Sequence, residues 1–130
     1  MGRLCAICVL AAGMLAACSE EPKPEEIVSQ AAKAYYDHLV AGRYDEYLAG
    51  VAGTDSLPAG YREQLLNNTK QFAALLREEH GGVCEVRVVN AVADTTRRQA
   101  DVFLMLCFCD STKEEIVVPM SGHGNEWRMR

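Results

Sequence analysis

The sequence predicts an α+β domain in which N-terminal helices pack on a curved, antiparallel four-stranded sheet. Three observations predict it. Apolar residues recur at helical spacing from Glu25 to His80, and strand-like runs joined by short polar turns fill the remainder. Among these runs is Val102–Cys109, Val-Phe-Leu-Met-Leu-Cys-Phe-Cys, the longest apolar stretch outside the first eighteen residues. Eight residues bounded by Asp101 and Asp110 favour a buried strand over a helix, and apolar residues on both faces require cover on both.

The chain of 130 residues is long enough for one domain with a real core. Its formal net charge of −5 argues against a nucleic-acid partner, which would need a basic stripe; the only basic doublet, Arg97-Arg98, falls in a hairpin loop.

Met1-Gly2-Arg3 supplies one positive charge ahead of an apolar stretch from Leu4 to Ala17. Fourteen residues are too few to cross a bilayer core of about 30 Å as a helix, which needs about 20. They fit the apolar region of a secretory signal. Myristoylation at Gly2 is disfavoured because Ala6 stands where Ser or Thr is needed. The stretch ends Leu15-Ala16-Ala17-Cys18, which resembles a bacterial lipobox. That resemblance implies cleavage after Ala17, lipidation of Cys18 (palmitate among the chains) and anchoring in the cell envelope at the outer membrane. Several acyl chains anchor stably where one does not. Residues 18–24 then read as an acidic, proline-stiffened tether. Ser19-Glu20-Glu21 resembles in part the acidic signal of surface-exposed Bacteroidetes lipoproteins, or is simply a solvated spacer.

The domain proper spans Glu25 to Arg130. Its first helix runs from Glu25 to Ala41, with Ile27, Ala31, Tyr35 and Leu39 at intervals of four, Val28 and Ala32 beside them, and Gly42 as the stop. Tyr44, Tyr47, Leu48 and Val51 mark a second helix. Leu57 to His80 is a third, whose buried side is expected at Tyr61, Leu65, Asn68, Phe72 and Leu76, and which ends at Gly81-Gly82. Aromatic residues at helical spacing are read as core rather than as a binding box. Strands follow at Val83–Val92, Val102–Cys109, Glu114–Met120 and Glu126–Arg130, with turns centred on Thr96-Arg97, at Asp110 to Lys113 and at Ser121 to Asn125.

The element order, with Gly-Arg-Tyr-Asp-Glu-Tyr-Leu opening the second helix and Trp-Arg-Met closing the last strand, resembles the nuclear transport factor 2-like superfamily. Within it the chain is similar to small Bacteroidetes lipoproteins. The resemblance implies a cone-shaped α+β fold with a cleft between helices and sheet. It implies no activity, because one fold serves many functions.

With Cys5 and Cys8 in the signal and Cys18 lipidated, three cysteines remain. A hairpin centred on Thr96-Arg97 sets Cys84 opposite Cys109, on a face shared with Val86, Val88, Met105 and Cys107. A Cys84–Cys109 disulfide is expected, or Cys84–Cys107 if the register slips by two, or three thiols acting as small hydrophobes. His38, His80 and His123 have no metal-ligand spacing and read as surface residues, and no motif implies a cofactor. Enzymes of the resembled superfamily, such as ketosteroid isomerases and polyketide cyclases, hold an acid in an apolar cleft, where burial raises its pKa. Asp37 beside Tyr36, and Asp101, are the acids to consider. Asp55-Ser56, Asp94-Thr95 and Asp110-Ser111 open three triplets in loops. They resemble a Bacteroidetes O-glycosylation signal, which would modify Ser56, Thr95 and Ser111, and they equally satisfy ordinary turn chemistry.

The expectation is a lipid-anchored envelope protein with a non-catalytic ligand-binding or assembly domain. Its partners would be the membrane through the N-terminal lipid, a second copy packed through the sheet or a small apolar ligand, and an envelope protein. A small cleft enzyme is the alternative.

Overall fold

The computed structural model describes residues 21–130, so Cys18, the expected signal segment and the start of the tether lie outside the described residues. None of the helices in the described part is long and apolar enough to cross a membrane.

Helix α1 is Pro24–Val40, entered through a proline with Glu25 and Glu26 in its first turn, where the helix dipole favours acids. Helix α2, Tyr44–Ala49, follows a turn at Gly42, whose φ of 81° suits glycine. A 3₁₀ turn, Thr54–Ser56, leads to helix α3, Ala59–His80. Four strands then form an antiparallel meander in the order β1 Val83–Asp94, β2 Gln99–Phe108, β3 Lys113–His123 and β4 Glu126–Met129. The segment after α2 forms an isolated parallel bridge with the end of β4, Val51 beside Met129: the Met129 amide donates to the Gly50 carbonyl and the Ala52 amide to the Met129 carbonyl, both at 2.7 Å.

The core lies between α1 and one face of the sheet. Val28 and Ala32 of α1 meet Val86, Val102, Leu104, Leu106, Val118 and Met120. Each fully buried Leu or Val contributes about 1.5–3 kcal/mol by leaving water. The α1 stripe is rotated from the expected one, since Ile27 is 44% exposed while Val28, Ser29, Ala32 and Leu39 are buried.

The central strand differs from expectation on its second face. Val102, Leu104, Leu106 and Phe108 are buried, but Phe103, Met105 and Cys107 are only half-buried on the outward face. The register sets Arg87 and Glu115 on either side of Met105, and Glu85 and Lys113 on either side of Cys107. Long charged side chains can shelter apolar neighbours along their stems, so this face stands without a second layer among the described residues.

Helix α3 also differs. Of its residues only Ala73 is buried, whereas Tyr61 is 63% and Phe72 45% exposed and Asn68 faces solvent. Its apolar stripe borders a cavity rather than a packed wall.

Candidate functional site: an apolar cleft between two helices and the sheet

The cavity lies where the C-terminal halves of α1 and α3 diverge above the sheet, and its volume is about 210 Å³. Helical spacing brings Tyr36, Leu39 and Val40 to it from α1, and Phe72, Ala73 and Leu76 to it from α3. Val83 and Leu106 supply the sheet side, which makes the cavity continuous with the core. Three small residues leave the space. Ala73 is the smallest side chain on the α3 wall, and Gly81 and Gly82, with φ of 76° and 92°, turn the chain from α3 into β1 without side chains.

One charged side chain borders the cavity. The stem of Arg77 passes over Gly82, where an added Cβ would lie 3.5 Å from its Cγ. The one hydroxyl on the wall belongs to Tyr36. Burial pushes the Tyr36 phenol far above its ordinary range, and the Tyr47 hydroxyl beside it adds to the shift. The two rings meet edge to face at 5.6 Å. Tyr36 is therefore a neutral hydrogen-bonding group at any physiological pH.

The other sequence-selected residues fall elsewhere. Tyr35 packs away from the cavity and donates its hydroxyl to the Trp127 carbonyl at 2.7 Å. Burial, then the charge of Glu126, raises its pKa. Asp37 pairs with Lys33 at 2.7 Å, and Asp101, on the outward side of β2, lies 3.7 Å from Arg130; neither lines the cavity. Among the described residues no group of three His, Cys, Asp or Glu is placed to hold a metal ion. His80 is less exposed than expected, because its ring stacks on Phe108 at 4.1 Å and its Nδ1 lies 3.1 Å from Asp110.

A disulfide joins Cys84 to Cys109, with Cα atoms 5.1 Å apart, and Cys107 is free. The route to that pairing is not the expected one. The hairpin starts in the expected register, Asp94 opposite Gln99, but slips by one residue between Val88 and Asn90 and again between Val83 and Glu85. Val86 consequently faces the core opposite Leu106, not the face of Met105 and Cys107. The second slip leaves Cys84 within reach of Cys109. The bridge closes the β1–β2 end beside the cleft, where the Cys109 amide donates to the Gly82 carbonyl at 2.9 Å.

Ser56, Thr95 and Ser111 are all exposed. In two of the three triplets the aspartate serves the turn itself: Asp94 accepts from the Thr96 and Arg97 amides, and Asp110 from the Thr112 amide. Asp55 instead pairs with Arg128 at 3.1 Å.

The sequence reading missed Arg77 and the cavity as a unit. The available signal was the pairing of Ala73-Ala74 with Gly81-Gly82, two sites where side-chain volume is withheld within one helix end.

No protein-family model matches the chain, and no curated protein matches it. Among solved structures, one from Campylobacter jejuni, of a protein designated an NTF2-like transpeptidase, is similar with a TM-score of 0.59. The similarity covers 75% of this chain and 92% of that one at 13% sequence identity. With its helices laid on a four-stranded antiparallel meander and a cleft between them, the chain has the nuclear transport factor 2-like α+β fold.

Proposed function

We propose that the chain is a non-catalytic binding module for a small apolar ligand, held at the bacterial envelope by lipid on Cys18. The observation that carries the binding half is the cleft: a formed apolar cavity with few polar groups is the usual form of a small-molecule site. The anchor half rests on Leu15-Ala16-Ala17-Cys18. A cleft enzyme of the isomerase or cyclase kind would need an acid on the cavity wall, and Asp37 and Asp101 both lie outside it. Transpeptidase chemistry, which the name of the Campylobacter jejuni protein raises, would need a nucleophile there, and the free Cys107 sits on the outward face of β2.

Native mass spectrometry of the protein extracted from its own host's membranes tests both halves. The expected mass lacks residues 1–17, carries acyl chains on Cys18, and includes a small adduct that is lost in an Ala73→Leu variant. An unprocessed chain would contradict the anchor, and a processed chain without adduct would contradict the ligand.

A further inference from the structure

We propose that the cleft binds a monocarboxylate whose apolar body is about a benzene ring with a short chain, its carboxylate paired with Arg77. This rests on the ligand-binding reading above and adds the chemical class of the ligand.

The size follows from the volume. A cavity of about 150 Å³ lined by apolar side chains is known to hold benzene, and this one is about 210 Å³. The difference leaves room for two or three further atoms, and the Tyr36 and Phe72 rings on opposite helices suit a flat apolar body.

The charge follows from what borders the cavity and what Arg77 lacks. Arg43, Arg87, Arg97, Arg128 and Arg130 each meet a carboxylate, and Arg98 meets the Gly124 carbonyl. Among the described arginines only Arg62 and Arg77 have neither an ion pair nor a hydrogen bond from the guanidinium to another described residue, and of the two only Arg77 borders the cavity. No carboxylate lines the cavity to satisfy it. A guanidinium fork matches a carboxylate in two parallel hydrogen bonds. One arginine neutralises one negative charge. A dianionic phosphate would keep a second charge that no other cationic side chain on the cavity wall meets.

The test uses the full chain in lipid nanodiscs, with empty nanodiscs as the blank. Fluorine NMR follows titrations with 3-(4-fluorophenyl)propanoate and 3-(4-fluorophenyl)propanol, which differ in the head group alone. Both probes are expected to bind saturably, the acid about tenfold more tightly. Arg77→Gln is expected to remove the preference while the alcohol binds as before, Arg77→Lys to keep part of it, and Ala73→Leu to abolish binding of both probes. The ratio in the unaltered chain needs no variant to fold. Equal affinities, or a ratio unchanged by Arg77→Gln, would overturn the carboxylate and leave the cleft as a binding site. Absence of saturable binding by either probe would overturn the binding site itself.

Discussion

Tyr35 lies flat across the backbone of Gly50 and anchors the last strand through the Trp127 carbonyl. A methyl group at position 50 would run into the Tyr35 ring, which is fixed by its hydroxyl bond and cannot simply swing away. Gly50→Ala is expected to lower stability by about 1–3 kcal/mol through overpacking. Gly60→Ala, in α3 with nothing within 4 Å and no positive φ, is expected to raise it by about 0.4–1 kcal/mol. Urea unfolding separates the two, and shifts of the same sign would contradict the packing assigned to Tyr35. Asp110 offers a pH-dependent case. The Thr112 hydroxyl, the Thr112 amide and then His80 hold its carboxyl at about 2, below the ordinary 3.8. A folded-state pKa below the unfolded one gives stability that is fully present above about pH 4 and lost as pH falls toward 2. The stability gap between the unaltered chain and Asp110→Asn should therefore close over that range, and a gap that widened toward pH 2 would contradict the assignment. Residue types revealed the turn at Asp110 in the sequence, because Asp before Ser or Thr bonds its own turn. They could not reveal the stacking of His80 on Phe108, which depends on where two distant elements end.

At the scale of elements, the meander was legible and its register was not. Alternating strands and polar turns dictate hairpins, so β1 to β4 appear where composition puts them. The two one-residue slips in β1 are invisible to counting, because each moves every following side chain to the other face. Val86 is the residue that shows it, buried where the unslipped register would turn it outward. The Cys84–Cys109 bridge pins the end of this slipped register across a sequence separation of 25. Removing a bridge that closes a loop of that length is expected to cost about 3 kcal/mol. Thermal unfolding of Cys84→Ser with Cys109→Ser measures it, and an unchanged transition would mean that the bridge does not constrain the unfolded chain. Periodicity also located α3 and misjudged its burial. A 3.6-residue stripe tells which face is apolar, not whether another element has come close enough to cover it, and around Phe72 and Leu76 the cover is a cavity.

For the whole molecule, two apolar surfaces compete as the functional one. The cleft gathers Leu39, Val40, Leu76, Val83 and Leu106 on the helical side of the sheet, whereas Val92 and Val117, 61% and 52% exposed, lie on strands near its outward face. The sequence already set one face of the doubly apolar central strand against the first helix, where the core lies, and left the cover of its other face open. The proposed anchor rests on the sequence of residues 1–18 alone, which lie outside the described residues. Binding in the cleft is tested by methyl NMR of the chain labelled at Leu and Val, titrated with a small-molecule extract of the host envelope. The cleft account expects the methyls of Leu39, Val40, Leu76, Val83 and Leu106 to move while those of Val92 and Val117 stay fixed. Movement of Val92 and Val117 with the cleft methyls unmoved would contradict it and place recognition on the outward face of the sheet.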